Sequence, residues 1–434
     1  MLVDLLINTF TNSHIQPTYQ HKKHINMKIL VVLPRFPYPL EKGDKLRAFY
    51  QIRELSKGNE VYLFSVSHTK VLPEHLEQLR PYCKDICVVH SPRLVNYKNV
   101  LRNFLHTKSL QIGYWDSLKA RRAYRRFEKE VKPDVIYSQM VRTMPLVSRS
   151  LVPKVMDFQD ALSMNTERRM DTVRGLWRYI LHYEFKMLRS SEYNAFKIFD
   201  ALTIISETDS EAIPCRKNCT MEIIPNGVDF DFFHPLEHEK QYDIVFCGNM
   251  RYEPNVRASR YLVGQVMPLV WKELPEATLL LAGASPKRKV SQLADERVTV
   301  SGSVDDIRES YASARVFAAP MLTGSGLQNK LLEAMSLKLP CVTTSLANDA
   351  LCAQEGREVL VGDTPQAFAD HLVALLRDES RRKELAEGGY AFVHSKYSWE
   401  NAGRKLEEVL RKVVQTGPSK VSMEGKKNLK DKKN

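Results

Sequence analysis

Two successive series of short apolar runs, each run followed by a stretch of helical periodicity, constrain the fold of this chain more than any other feature. The first series is KILVVL (28–33), EVYLFSV (60–66), DICVVH (85–90), DVIYSQ (134–139), KVMDF (154–158) and ALTIIS (201–206). The second is YDIVFCG (242–248), ATLLLAG (277–283), RVTVSG (297–302), RVFAAP (315–320), PCVTTS (340–345) and EVLVGD (358–363). Runs this short and this rich in branched side chains read as buried strands. Between the first two, DKLRAFYQIRELSK (44–57) places Leu46, Phe49, Tyr50, Ile52 and Leu55 near a 3.6-residue period, which predicts a helix. Strand, helix and strand in repeated order predict an α/β fold with doubly wound parallel sheets, and two series predict two such domains facing each other across a cleft.

The division falls in the turn cluster IPNGVDFDFFHP (224–235). The expected organisation is an extension without fold over 1–26, a first domain over 27–222 and a second over 223–397. A C-terminal helix over 398–415 is expected to pack back on the first domain, followed by a basic disordered tail over 416–434. Leu406, Val409, Leu410 and Val413 share one side of that helix. Met27 directly precedes the first strand and offers a second candidate start. Residues 1–26 lack a basic leader, and Asp4 interrupts their apolar stretch, so they do not read as a signal peptide.

The formal net charge is +13, from 64 basic and 51 acidic residues. The excess gathers in KARRAYRRFEKEVK (119–132), RRMDTVRGLWRYILHYEFKMLR (168–189) and the tail KKNLKDKKN (426–434). Such a balance suits an anionic partner, a membrane surface or a phosphorylated ligand. No helix-turn-helix, RNP-like or zinc-finger pattern points to nucleic acid. No apolar run approaches the ~18 residues that cross a bilayer. The seven cysteines are scattered, which fits a reducing cytoplasm. The pairs Cys83/Cys87 and Cys215/Cys219 have no histidine cluster to complete a zinc site, so no metal is expected.

The segment GSGLQNKLLEAMSLKLPCVTTS (324–345) carries the clearest chemistry. It leaves a buried strand through Gly324 and Gly326 and enters a helix expected over 327–338. Leu327, Leu331, Ala334 and Met335 would face the sheet, with Lys330 and Glu333 on the outer side. Glycines there allow close backbone approach, and the free N–H groups of a first turn favour an anion. Glu333 stands far enough along to accept bonds from sugar hydroxyls. The spacing equally fits a Gly-rich turn followed by a Lys330–Glu333 surface pair. Two further loops follow first strands: LPRFPYPLEKGDKLR (33–47), with Gly43, and FCGNMRYEPN (246–255), with Gly248. None is G-x-G-x-x-G or a P-loop, so a nicotinamide dehydrogenase or a kinase fits poorly.

Taken together, residues 27 to 415 resemble the glycosyltransferases of family 4, with the GT-B architecture of two Rossmann-like domains. The carrying motifs are the segment above, DALTIISETDSEAI (200–213) followed by IIPNGVDFDFFHP (223–235), and VSGSVDDIRESYASARVFAAPM (300–321). The GxQNKxLEAM form resembles a subgroup linked to bacterial surface and exopolysaccharide assembly. The resemblance implies transfer of a sugar from a nucleotide-diphosphate sugar with retention of configuration, without metal or cofactor, onto a glycan or lipid-linked glycan. It assigns the donor ribose to Glu333 and the diphosphate to the backbone at Gly326 and Leu327. Gly43 and Gly248 would close over the donor, and Lys330 and Arg251 would compensate the leaving diphosphate. The family often carries a Glu eight residues before Glu333; here that position is Ser325. The DFD of 229–231 looks like a metal-binding D-x-D but falls in the inter-domain turn.

On the acceptor side, MDFQDALSMNTERR (156–169) occupies a segment where the family often has a histidine. Asp157 and Asp160 stand there, and Asp160 is the candidate catalytic residue, or else the N-cap of the following helix. Arg142, in SQMVRTMP, is a candidate contact for an anionic group, or else a solvated loop arginine. His68, His90 and His182 read as ordinary histidines. Trp177, Leu181, Phe185 and Leu188, flanked by Arg174, Arg178, Lys186 and Arg189, form a stripe that suits either internal packing or an anionic membrane. The expected location is the cytoplasm, peripheral at the inner face of the plasma membrane. Two other readings stand beside the transferase: a non-catalytic scaffold of the same fold, and a nucleotide-sugar epimerase.

Overall fold

The structure is a computed structural model, and it describes residues 26–40, 42–104, 109–170, 173–214, 220–323 and 326–418. Ser325 and Gly324, the cysteines 215 and 219, residues 1–25 and the tail from 419 lie outside the described residues.

The chain folds into two parallel sheets. The first contains β1 (Lys28–Leu33), β2 (Glu60–Ser67), β3 (Asp85–His90), β4 (Val135–Gln139), β5 (Lys154–Asp157), β6 (Ala201–Ile204) and β7 (Glu222–Ile223), in the order β3-β2-β1-β4-β5-β6-β7. The second contains β8 (Tyr242–Cys247), β9 (Leu279–Ala282), β10 (Val298–Gly302), β11 (Ala314–Ala319), β12 (Cys341–Thr343) and β13 (Leu360–Val361), in the order β10-β9-β8-β11-β12-β13. Strand order reverses between β1 and β4 in one sheet and between β8 and β11 in the other. In such sheets the carboxyl side of the reversal is the place where a crevice opens.

Alternation along β1 sends Leu30 and Val32 to one face of the first sheet and Ile29 and Val31 to the other, and all four are fully buried. The second face is closed by the end of the chain. The helix Trp399–Thr416 contributes Trp399, Ala402, Leu406, Leu410 and Val413 to the core that contains Ile29 and Val31. Tyr50, on the helix Gly43–Ser56, stacks on Trp399 with ring centroids 4.8 Å apart. Gly227 makes this return possible: Val228 N–H donates to the Tyr397 carbonyl, and a Cβ at 227 would run into the backbone of Ser398 and Trp399.

The helix of the segment 324–345 is shorter than its spacing predicts. It runs Asn329–Ser336, and Gln328 is its N-cap residue. Leu331, Ala334 and Met335 are buried, while Leu327 stays in the preceding loop and packs against the core from there.

Candidate functional site

A cavity of about 690 Å³ opens between the two domains, lined by residues that follow the carboxyl ends of strands in both sheets. On the first-domain side, Arg35 follows β1 and pairs through Nη1 with Asp44 at 2.9 Å. Gly43 and Asp44 begin the next helix. β4 and β5 are each followed by a residue with left-handed backbone, Met140 at φ 62° directly after β4 and Gln159 at φ 64° two residues after β5. Such backbone costs about 1–3 kcal/mol per residue and persists where surrounding structure holds it. Here a buried amide chain does so: Gln159 Nε2 donates to Gln139 Oε1 (2.9 Å), and Gln139 Nε2 donates to Gln51 Oε1 (2.7 Å). The two turns deliver Arg142 and Asp160 to the cavity.

Asp160 does not cap the helix that follows it. The N–H of Ala161 is taken by Asp209 Oδ1 (3.2 Å) and that of Ser163 by Glu192 Oε1 (2.9 Å). The carboxylates that terminate helix Leu162–Met170 thus come from distant segments, and the Asp160 carboxyl keeps no hydrogen-bond partner among the described residues. Burial, reinforced by Asp209 and Asp44, pushes it up to about 7, with Arg47 pulling the other way.

Asp157 requires a correction. It is fully buried inside the first domain, where Arg47 Nε pairs with its Oδ2 at 2.7 Å and the Tyr137 hydroxyl donates to the same oxygen at 2.6 Å. An acceptor cannot reach it. Its partner Arg47 extends the connection by donating to Asn226 Oδ1 (2.9 Å), and Asn226 Nδ2 donates to Asn329 Oδ1 (3.2 Å). The chain Asp157–Arg47–Asn226–Asn329 therefore ties β5 of the first domain to the start of helix Asn329–Ser336, and its last two members line the cavity.

On the second-domain side, Asn249, Arg251, Tyr252 and the run from Gly326 to Asn329 form the wall. Arg251 and Tyr252 are exposed to the cavity. Gly326 lies directly opposite Asp160: a Cβ at 326 would stand 3.6 Å from Asp160 Oδ1. Gly248 does not border the cavity. Its lack of a side chain is explained by Asn255, whose Nδ2 a Cβ at 248 would meet at 2.6 Å.

Lys330 and Glu333 are likewise not on an outer face, nor are they paired on the surface. They turn into the domain beside the cavity wall. Lys330 Nζ donates to Asn255 Oδ1 and sits 5.0 Å from the Phe246 ring centroid. Glu333 Oε2 accepts from the Tyr311 hydroxyl at 2.8 Å. Burial brings Lys330 down to about 8 and pushes Glu333 up, the latter opposed by the Tyr311 hydroxyl and by Lys330. In the turn between domains, Asp229 of the DFD accepts from the Tyr50 hydroxyl (3.0 Å) and Arg53 Nη1 (3.2 Å), so its carboxylate holds the first-domain helix.

The structure thus brings Gly43, Arg142, Asp160, Arg251, Gly326 and Leu327 to one cavity, sets Lys330 and Glu333 beside it, and leaves Asp157 and Gly248 out. Arg35, Asn226, Tyr252 and Asn329 belong to it and were not singled out by motif. All four lie in the quoted loops (33–47, 223–235, 246–255 and 324–345), so their neighbourhood was visible although their roles were not.

A second feature lies on the first domain. Helix Arg93–Phe104 buries Asn96, Asn99 and Asn103 and exposes Leu94, Tyr97, Leu101 and Phe104, the inverse of an ordinary surface helix. Phe104 meets Tyr183 of helix Leu176–Ile198 with centroids 5.4 Å apart. That helix buries Leu188 but exposes Leu176, Trp177 and Tyr179 in its first turn, so the stripe is internal at one end only.

Residues 241–378 match the family described as Glycosyl transferases group 1. The second domain is thus similar to group 1 glycosyltransferase domains, and the two parallel sheets share the GT-B fold. An uncharacterized 44.6 kDa protein in the cps region of Klebsiella pneumoniae is 23% identical over 391 residues, 85% of this chain and 96% of that protein. A GDP-mannose-dependent monoacylated phosphatidylinositol monomannoside mannosyltransferase of Corynebacterium glutamicum is 27% identical over 258 residues, 52% of this chain and 67% of that protein. The Anabaena protein HepE, solved in complex with UDP and glucose, superposes with a TM-score of 0.64 at 15% identity, covering 89% of this chain and 100% of that one. This last likeness is one of fold.

Proposed function

We propose that the protein is a retaining glycosyltransferase that takes a sugar from a nucleotide-diphosphate sugar held by the second domain and passes it to a glycan or lipid-linked glycan held by the first. The observation that carries this reading is the approach of Gly326 to Asp160. It sets the glycine turn of the donor segment against a carboxyl of the other domain that has no hydrogen-bond partner among the described residues.

In this reading the backbone N–H groups at Gly326 and Leu327 take the diphosphate, with the helix start behind them. Arg251 and Lys330 offset the charge that develops on the leaving diphosphate, the largest electrostatic demand of the step. Glu333 holds the ribose, exchanging the Tyr311 hydroxyl for sugar hydroxyls. Gly43 lets the first loop close over the donor, and the hydroxyl of Ser325 takes the place of the more usual carboxylate. Asp160, with a pKa near neutrality, is suited to accept the proton of an acceptor hydroxyl. The reaction so described uses no metal and no cofactor. Two comparisons support it: HepE, of the same fold, was solved with UDP and glucose, and the relative from Klebsiella is encoded in a cps region.

The test is a thermal-shift panel of UDP, GDP, ADP and CMP with their sugar conjugates on the wild type and on Glu333→Ala. Stabilisation by one base series, lost in the variant, is expected. A folded protein that no member stabilises would move the weight to a non-catalytic scaffold. Sugar-nucleotide interconversion without acceptor would mark an epimerase.

A further inference from the structure

Arg142, a first-domain cation of the cavity, has no ion-pair partner among the described residues. Its Nη2 donates to the neutral Gln111 Oε1 at 2.6 Å, and Nη1 faces the Met140 sulfur at 3.9 Å. Its Nε is buried with no hydrogen-bond partner among the described residues. The carboxylates nearest to it are otherwise engaged. Glu184 accepts from Ser109 Oγ (2.7 Å), Leu110 N (2.6 Å) and Gln111 N (3.1 Å), and Asp44 pairs with Arg35. Asp160 also contributes to its field but forms no ion pair with it. A second guanidinium shares the place. Arg35 also has a buried, partnerless Nε, and its Cζ lies 5.8 Å from the ring centroid of Trp115, on the helix Leu110–Trp115 that carries Gln111.

The two guanidiniums repel each other; both are partly buried, and only that of Arg35 is offset, by its pair with Asp44. Burial and Arg35 together bring Arg142 down to about 10. The charge of Arg35 also acts on His68. His68, whose ring lies 5.6 Å from Trp115, is lowered by burial and then by Arg93, Arg35, Lys42 and Lys45. Taking a charge out of water is expensive unless it is paired, and at Arg142 an anionic ligand would supply the missing counter-ion.

We infer that Arg35 and Arg142 form an oxyanion subsite on the first-domain side of the cavity, and that the acceptor carries a phosphate or a carboxylate which seats there. The inference rests on the proposed transferase reading for the word acceptor, but the subsite itself is defined by the two guanidiniums. A planar guanidinium with free N–H groups matches the two oxygens of either anion. The subsite is separate from the nucleotide's place: Arg251 and the turn at Gly326 belong to the second domain, Arg35 and Arg142 to the first.

The experiment measures binding of glucose 1-phosphate, glucuronate and glucose to the full chain and to Arg142→Gln, Arg142→Lys and Arg251→Gln. Nucleoside diphosphates are titrated alongside. The wild type should bind one or both anionic probes and not glucose. The probe that binds tells phosphate from carboxylate. Arg142→Gln should lose about tenfold to a hundredfold in that affinity, the range of one or two charge-assisted hydrogen bonds. Arg142→Lys should retain part of it, and Arg251→Gln all of it. Without ligand, Arg142→Gln should unfold at the same or a higher temperature than the wild type, which would not follow if the arginine served in a structural ion pair. The proposal is overturned if neither anion binds, if Arg142→Gln binds them as the wild type does, or if Arg251→Gln alone loses them. Failure of the donor reading is distinguishable: nucleoside diphosphates would then fail on all four proteins, whatever the anionic probes do.

Discussion

At the scale of single residues, two carboxylates three positions apart have opposite fates. Asp157 ends β5 inside the sheet and is consumed by Arg47 and Tyr137. Asp160, one turn later, emerges into the cavity without a hydrogen-bond partner among the described residues. Spacing alone does not separate them, because burial depends on which end of the strand faces the other domain. The pH response of Asp160 follows from its position. Its pKa lies above the ordinary 3.8, at about 7, so the folded state disfavours the ionised form. Its contribution is most favourable at low pH, and stability is lost as pH rises from about 4 to 7. Asp160→Asn removes that loss. Relative to the wild type, its melting temperature should be nearly unchanged at pH 4 and higher above pH 7, while sugar transfer falls. A difference in melting temperature that does not grow with pH would contradict this account.

At the scale of elements, glycines of similar appearance in the sequence do different work. Gly227 lets the inter-domain turn touch the start of the last helix, and a methyl group there meets backbone that has no room to move. Gly43 has nothing within 4 Å of an added Cβ, because it faces the open cavity. Gly227→Ala should therefore cost roughly 2 kcal/mol or more, in the upper part of the usual range for single substitutions, read by urea unfolding. Gly43→Ala should leave unfolding within about 0.5 kcal/mol of the wild type. It should still weaken binding of the nucleotide that stabilises the wild type. The reverse pattern would mean that the first loop does not close over the donor. The same scale shows how helices are ended from afar: helix Leu176–Ile198 supplies Glu184 and Glu192 to the starts of two other helices. No local motif announces such a cap, since donor and acceptor are 29 to 74 residues apart.

At the scale of the whole molecule, no helix among the described residues is long and apolar enough to cross a membrane. We propose that the first domain instead rests on an anionic membrane through the exposed faces of helices Arg93–Phe104 and Leu176–Ile198. Leu94 is 78% exposed and Trp177 68%, a degree of apolar exposure that water disfavours. Lys98, Arg174 and Arg178 stand among these residues, as an interfacial surface requires. Vesicles containing phosphatidylglycerol should carry the protein upward in a flotation gradient, and neutral vesicles should not. The double variant Leu94→Ser/Leu101→Ser should remain below with its melting temperature unchanged. Equal flotation of the variant would remove this surface from consideration.

The alternation of strand and helix, the doubling of the domain and the return of the last helix were legible in the sequence, because each rests on a local period of apolar residues that persists wherever the segment is placed. The turn and helix of segment 324–345 were legible for the same reason. What only the tertiary structure decided was direction and partnership. Lys330 and Glu333 turn inward because Asn255 and Tyr311, contributed by other elements, receive them. Asn226 reaches Asn329 across 103 positions, and Arg47 reaches Asp157 across 110. The unmatched charge of Arg142 exists only once Gln111, Glu184 and Arg35 are brought around it. Such contacts arise from chain closure between distant segments, and a periodic pattern carries no record of which segments will meet.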